Sequence, residues 1–404
     1  MSWISLFALI VALFLFAQSL LSLFLKVYSW EDPERLFSSQ APASYLSARL
    51  SFSVLLPARH EEAVIYETIQ RVWRANYPAQ MLEIIVICSI DDRGTIAEAY
   101  RAMRDLGSER IRLATFSNLP VNKAHALNVG FQQTRNQIIS IFDAEDDIDP
   151  NIFNMVNTVM LKERVGIVQA GVQLMNFQDH WFGMHNCLEY FFWFKSRLHF
   201  HSRVGLIPLG GNAVFLRREL VERVGGWDEQ CLMEDADIGL RLSVLGEPIR
   251  VVYDARHVTR EETPESVSAF IRQRNRWQQG FLQVLWKGSW RSLPRLSQRL
   301  LALYTLSYPY VLALIAPLWS FTIAAIFFLK APALATMVFF LPLYGLLFQF
   351  ATSVAGAFFF AREYKLRFSV LNLIGMAITF LPYQWLLSIS AIRTVFLKTG
   401  RVRW

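Results

Sequence analysis

Three short polar runs carry residue types able to do chemistry. Asp143-Ala-Glu-Asp-Asp-Ile-Asp-Pro150 packs acids together, Met233-Glu-Asp-Ala-Asp237 does so again, and Gln273-Arg-Asn-Arg-Trp277 joins an amide, guanidinium groups and an indole. On an extended segment residues i and i+2 point the same way, so Asp143 and Glu145 share a direction. Carboxylates gathered at one place repel a phosphate group unless a hard divalent cation lies between them. Mg2+ suits one or two carboxylates plus phosphate oxygens in an octahedral shell. In the third run Trp277 offers a broad face on which a ring can stack, Gln273 can bond hydroxyls, and Arg276 can meet an anionic oxygen. Each run also has an ordinary explanation, a solvated acidic turn for the first and an amphipathic surface helix for the last, so their order and flanks matter more than any one of them.

The elements around these runs alternate. Phe52-Ser-Val-Leu-Leu-Pro57, Glu83-Ile-Ile-Val-Ile-Cys88, Ile111 to Thr115 and Gln137-Ile-Ile-Ser-Ile-Phe142 read as strands, with helical patterns up to Asn76 and over Ala124 to Thr134 between them. Continuously apolar strands separated by helices indicate an α/β fold whose mixed, mostly parallel sheet is covered on both faces. Ligands bind such sheets at the carboxyl ends of strands. Asp91-Asp92 and Asp143 to Asp146 fall there. Gly210-Gly211-Asn212 lets backbone approach a ligand closely. The chain has no Gly-x-x-x-x-Gly-Lys phosphate loop, which leaves an ATPase reading without support.

Composition places part of the chain in lipid. Of 404 residues 53% are apolar, only 18% are charged and 32 are Phe. Ile4 to Leu25 is long enough to cross a hydrocarbon core of about 30 Å. With no positive charge before it and no small-residue cleavage site directly after it, it is read as a retained anchor rather than a signal peptide. Further spans are expected at Leu301 to Leu329, Leu334 to Phe360 and Phe368 to Ile392. The breaks Lys330-Ala-Pro332 and Arg362 to Arg367 bound them, because a charge at mid-span costs about 2.5 to 3.5 kcal/mol. The expected division is an anchor over 1–26, a water-facing domain over 27–260, interfacial helices over 261–299, membrane spans over 300–395 and a basic tail over 396–404. Three spans after a cytosolic domain put the 362–367 loop inside, as the positive-inside rule wants, but place the tail with Arg393, Lys398, Arg401 and Arg403 outside. Either Pro382 breaks the last segment or the tail crosses despite its charge.

The net charge of +7 is not concentrated in a dense Lys/Arg tail, so anionic lipid is a better partner than nucleic acid. Cys88, Cys187 and Cys231 have neither paired nor metal-ligand spacing and are expected to be reduced and packed. Trp181 to Phe200 reads as an amphipathic helix at the membrane face, with core packing as its ordinary explanation and guidance of an acceptor as an equal alternative. Its His180, His185, His199 and His201 are assigned to that helix rather than to a metal.

The ordered series Leu56-Pro-Ala-Arg-His-Glu-Glu62, Tyr77-Pro78, Asp91-Asp-Arg-Gly-Thr95, Lys123-Ala-His-Ala-Leu-Asn128, Asp143-Ala-Glu-Asp146, Leu209-Gly-Gly-Asn212, Gly225-Gly-Trp-Asp228, Glu234-Asp-Ala-Asp237 and Gln273 to Trp277 resembles the membrane-bound family 2 inverting glycosyltransferases, the cellulose, hyaluronan and chitin-oligosaccharide synthase branch in particular. That resemblance implies a GT-A-like nucleotide-sugar-binding fold and transfer from a UDP-sugar with Mg2+ or Mn2+. It puts Ala58, Glu62, Asp91, Asp92, Lys123, Asp143, Gln273, Arg276 and Trp277 at the donor, with Asp91 or Asp92 on the uracil and Lys123 on phosphates or ribose. Gly210, Gly211, Asn212 and Trp277 fall at the acceptor, and Asp235, beside Glu234, becomes the catalytic base. Asp143 with Glu145 or Asp146 takes the metal. Two departures stand out: Met233 replaces the usual Thr, and the acidic end after Cys88 is displaced.

The resemblance further implies β-linked polysaccharide synthesis, with a glycan acceptor, in a bacterial inner or plasma membrane. Alternatives are one transfer to a lipid acceptor, as in ceramide glucosyltransferases, or an inactive scaffold or transporter. With so few spans an oligomer or an export partner is an open expectation. Members often continue past the position of Trp404.

Overall fold

The computed structural model describes residues 3–30, 32, 34–35, 39–107 and 109–396. In chain order the first half runs α1 (Trp3–Val27), β1 (Phe52–Pro57), α2 (Ile65–Trp73), β2 (Leu82–Ser89), α3 (Arg93–Leu106), β3 (Ile111–Phe116), α4 (Lys123–Gln132), β4 (Ile138–Ile141), α5 (Ile152–Glu163), β5 (Ile167–Ala170) and β6 (Val172–Leu174). The second half runs α6 (Gly183–Phe192), α7 (Leu198–Val204), β7 (Val214–Arg217), α8 (Arg218–Val224), α9 (Glu234–Val244), β8 (Ile249–Val252), β9 (Thr259–Glu261), α10 (Val267–Lys287), α11 (Leu296–Phe328), α12 (Ala333–Glu363) and α13 (Val370–Phe396).

Every residue of β1, β2 and β4 is buried, which is what strands covered on both faces require. The main sheet has the order β3-β2-β1-β4-β7-β5-β8. Its neighbours are parallel except that β7 runs antiparallel to both β4 and β5. That reversal builds the site: Ile141, the last residue of β4, pairs with Val214, the first of β7. The segment entering β7, Gly210 to Asn212, therefore lies beside the segment leaving β4, Asp143 to Asp146. A second sheet of β6 and β9 pairs Leu174 with Glu261, and a bridge between Asp147 and Arg260 draws β9 against the same acidic loop. Edge-to-face rings of Phe52, Phe142, Phe153 and Phe215 fill the layer beneath β1 and β4. Truncating one such buried Phe to Ala costs roughly 3 to 5 kcal/mol.

Four helices, α1, α11, α12 and α13, are long and apolar enough to cross a membrane. This is a membrane protein. Pro382 lies inside the continuous α13, so it does not split that segment. Lys398, Arg401 and Arg403 of the basic tail lie outside the described residues. The Trp181 to Phe200 stretch is largely core, with Phe191, Phe192, Phe194, His185, His199 and His201 all buried. It is interrupted by a π-helical turn over Trp193–Arg197. Burial pushes His185 down to about 4, so it stays neutral. The three cysteines are free and buried.

Candidate active site

Asp143 leaves the end of β4 and meets Lys123, whose ammonium donates to the Asp143 carboxylate and to the Gly211 carbonyl, the latter at 2.9 Å. Asn122 sets Lys123 in place by capping α4, accepting from the His125 amide at 2.8 Å while its own amide donates to the Glu229 carbonyl. Burial works against the Lys123 charge, but Asp143, Glu234 and Asp235 outweigh it and raise its pKa. Gly211 separates the basic and acidic groups. A β-carbon there would stand 3.2 Å from Lys123 Nζ and 3.3 Å from Asp235 Oδ2, so glycine keeps that space open for a ligand atom.

Glu234 and Asp235 form the first turn of α9, and Asp235 Oδ1 accepts from the Ala236 amide at 2.7 Å. Burial and the adjoining Asp235 push Glu234 up to about 7, and burial raises Asp235 as well. From α10, Gln273, Arg276 and Trp277 face the same space, and the buried Gln278 beside them donates to Ser390 of α13. Asp143, Glu145, Lys123, Gly210, Gly211, Asn212, Glu234, Asp235 and the α10 trio thus share one cavity of roughly 2030 Å3.

Other expected residues lie elsewhere. Asp146 is fully buried beneath the loop, where it accepts from the Asp143 amide at 2.8 Å and from Asn212 Nδ2 at 2.9 Å. It braces the cluster and does not face the cavity. Ala58 is buried and donates its amide to the Ile87 carbonyl. Asp92 caps α3 through Thr95 and accepts from the His60 amide at 2.6 Å, leaving Asp91 exposed beside it. Glu62 is in a separate groove with Tyr66, Arg71 and Arg101. His60, Glu62 and Asp92 have ligand atoms within 4.8 Å of one another, but both Asp92 oxygens already accept backbone hydrogens.

Three acids or partners were passed over by sequence reasoning. Glu61, not Glu62, lines the cavity, and burial with Glu145 and Asp143 nearby pushes it up to about 7. The chain reverses after β1 with His60 in the left-handed region (φ 60), a turn that strand alternation does not reveal. Glu261 also lines the cavity, accepts from Asn212, and is pushed up to about 7 by burial and Asp143. Its only signal was an acidic pair, Glu261-Glu262, close before the Gln273 run. Arg274 bonds Glu189 and stacks on Trp277.

A mostly parallel sheet whose acidic strand ends open on a cavity roofed by a Trp-bearing helix defines a GT-A-like transferase fold. The family model described as "Glycosyltransferase like family 2" matches residues 48–280, and the chain belongs to that family. It is 29% identical over 249 residues to a probable glycosyltransferase, YdaM, of Bacillus subtilis, covering 58% of this chain and 56% of that protein. It is 27% identical over 236 residues to a beta-monoglucosyldiacylglycerol synthase of Nostoc sp., covering 57% and 49%. It is 26% identical over 260 residues to a poly-beta-1,6-N-acetyl-D-glucosamine synthase of Staphylococcus epidermidis, covering 63% and 60%. The match thus spans about half to three fifths of these relatives' length. Among solved structures, the mannosyltransferase PcManGT from Pyrobaculum calidifontis, in complex with GDP-Man and Mn2+, superposes with a TM-score of 0.57 at 19% identity, covering 97% of this chain and 100% of that one. That likeness supports the fold.

Proposed function

We propose that this glycosyltransferase moves a sugar from a UDP-sugar to an acceptor hydroxyl with inversion, forming a β-linkage at the membrane. The observation that carries the reading is the one cavity that Asp143, Lys123, Asp235 and Trp277 share, with Lys123 and Asp235 flanking the gap left by Gly211. An acceptor hydroxyl has a pKa far above 7, and the Asp235 carboxylate within reach takes its proton as the oxygen attacks the anomeric carbon. The bond from that carbon to the donor diphosphate breaks in the same displacement, so an α-linked donor yields a β-linked product. Lys123 and Arg276 offer positive charge to the departing diphosphate, and Trp277 gives a sugar ring a stacking face.

A divalent cation fits this donor set. Glu61, Asp143, Glu145, Glu234, Asp235 and Glu261 crowd one cavity, and Glu145 is raised by burial and by Asp143. Hard oxygen donors of this kind suit Mg2+ or Mn2+, which Asp143 and Glu145 would hold; when bound, the ion neutralises donor phosphate charge. Mn2+ in the structurally similar mannosyltransferase is consistent with this assignment.

In this reading the catalytic domain, residues 27–260 with the α10 region over 261–299, faces the cytosol. Glycan extension and single transfer to a lipid both suit the site, and relatives carry names of both kinds. The continuation of the cavity between membrane helices, past Leu312 and Ile315, favours an acceptor with an apolar part. An inactive scaffold is disfavoured because Asp143 and Asp235 are both in place. The test uses the full chain in membranes with a panel of UDP- and GDP-sugars and Mg2+ or Mn2+, following nucleotide release and product size. Release from a UDP-sugar that depends on cation and is lost in Asp235→Asn is expected; release that survives this change undiminished removes Asp235 as the base. A ladder of products means extension, a single glycolipid one transfer.

A further inference from the structure

The cavity does not end at the carboxylates. It continues between α1, α11 and α12, where Leu15, Leu312, Ile315 and Trp319 line it. Arg197, at the end of the π-helical turn, stands on its wall. The guanidinium lies 5.1, 5.7 and 5.3 Å from the ring centroids of Trp193, Tyr304 and Tyr308. Gln18 of α1 donates to the Tyr304 hydroxyl at 3.1 Å, fixing one side of that cage.

Three other cations on the wall have partners: Lys123 has Asp143, Arg274 has Glu189, and Lys26 donates to Gln349 at 2.7 Å. Arg197 has no hydrogen bond or ion pair among the described residues, and its Nε is buried without a partner. The nearest acid along its own helical run, Glu189, already accepts from Arg274 and Tyr383. Aromatic faces attract the charge but bond none of the guanidinium's five N–H donors. An ionisable side chain at the edge of a membrane bundle is costly unless something meets it. Arg276, likewise without an ion pair among the described residues, stands at the donor end beside Asp235.

We propose that Arg197 anchors a second anion site, for the phosphate group of an amphiphile whose chain lies between α1, α11 and α12. A planar guanidinium binds phosphate oxygens two at a time, and the apolar walls beyond it suit an acyl or prenyl chain. Arg197 follows Tyr190, whose ring is 6.4 Å from that of Trp277, by two turns of the same helical run, roughly 10 Å at the rise of a helix. A headgroup held by its phosphate at Arg197 can therefore extend a hydroxyl toward Asp235. Calling this amphiphile the acceptor rests on the transfer reading above.

The experiment measures binding to the full chain in neutral detergent, without donor, so its failure leaves the transfer reading intact. Probes are dioctanoyl phosphatidic acid, dioctanoylglycerol and inorganic phosphate. The unaltered protein is expected to bind the phosphatidic acid at least about tenfold tighter than the glycerolipid, a comparison needing no variant. Arg197→Gln is expected to lose about tenfold to a hundredfold of that affinity, the worth of a charge-assisted contact. Arg197→Lys, which keeps the charge but not the fork, loses several-fold, and the exposed Arg203→Gln changes nothing. Equal binding of the two lipids, or undiminished binding by a folded Arg197→Gln, overturns the site. Inorganic phosphate displacing the lipid at equal concentration overturns the amphiphile and leaves a free-phosphate site instead.

Discussion

The guanidinium of Arg274 lies 4.8 Å from the ring centroid of Trp277, three residues further along α10. It lies 4.8 Å from the Phe270 ring centroid as well, and its charge is held by Glu189, which accepts in turn from the Tyr383 hydroxyl at 2.7 Å. Trp277 is therefore aimed by a network joining α6, α10 and α13. Arg274→Ala removes the stacking partner and leaves Glu189 uncompensated. Because Glu189 is about one third exposed (32%), the expected loss is about 1 to 3 kcal/mol rather than the full cost of a buried orphan charge. Glu189→Gln, which still accepts from both partners, should lose less. Melting curves in detergent and the KM for donor would register both changes, and an Arg274→Ala protein equal to the original in each has no need of this network.

Asp235 and Glu234 adjoin but differ in what they can reach. Asp235 Oδ2 borders the gap at Gly211, whereas Glu234 is nearly covered, at 8% exposure. Asp235→Asn should lower the transfer rate at saturating donor by about a hundredfold to ten-thousandfold, the usual worth of a general base. Nucleotide binding should persist, since Lys123 and Asp143 are untouched. Glu234→Gln is expected to be milder. Equal rates in Asp235→Asn and the unaltered protein would contradict the base assignment.

The acid cluster also couples stability to pH. Glu61, Glu234 and Glu261 are each pushed up to about 7 from 4.5, chiefly by burial. A carboxyl whose folded pKa is raised holds its proton in the folded state where the unfolded chain has lost it. The stability it confers is full below about 4.5 and is lost as pH rises through about 7. Metal-free protein should thus melt at a lower temperature at pH 8 than at pH 5. A divalent cation favours the ionised carboxylates, so Mn2+ should raise the melting temperature more at pH 8 than at pH 5. A cation effect that is the same at both pH values, or larger at pH 5, would argue against a metal at this cluster. Activity should move the opposite way to metal-free stability, rising with pH as the Asp235 carboxyl, held above its ordinary value by burial, ionises.

Four of the seven strands of the main sheet were legible because β1, β2, β3 and β4 are apolar runs bounded by turn residues, and the limits of these strands, of the helices expected between them and of the spans fall within a few residues of expectation, whereas β5, β7 and β8 were not expected. Asp143, Lys123, Asp235 and Trp277 were legible by type and order. What the sequence hid is direction. Glu61 and Glu62 are adjacent and chemically alike, and a backbone turn at His60 decides which one enters the cavity. Asp146 and Glu145 are adjacent too, yet the Asn212 amide and the Asp143 backbone take Asp146 out of reach. Glu261 depends on the pairing of β6 with β9, three residues each, too short for any periodic signal. The cage around Arg197 requires α1 and α11 to meet, a contact between segments nearly three hundred positions apart.

Gly280 provides a final test, of the distance between the two halves of the site. It lies one turn past Trp277 on α10, facing Met233, the residue just before Glu234 and Asp235. A β-carbon there would fall 2.4 Å from Met233 Cγ, 2.7 Å from Met233 Cβ and 3.0 Å from the Met233 amide nitrogen. The Cγ can swing away, but the Cβ and the amide are fixed to the backbone that carries Asp235, so α10 or the start of α9 must shift. Gly280→Ala gains about 1 kcal/mol of intrinsic helix propensity, so a folding defect in an isolated helix would not explain a loss. Overpacking at such a contact typically costs about 1 to 3 kcal/mol, and a misplacement near 1 Å can cost on the order of a hundredfold in rate. The expected result is a folded protein with rate sharply reduced. Met233→Ala in the same chain should recover part of it by removing Cγ while leaving the backbone contact. A Gly280→Ala enzyme as fast as the original would mean that the spacing between Trp277 and Asp235 is looser than this contact implies.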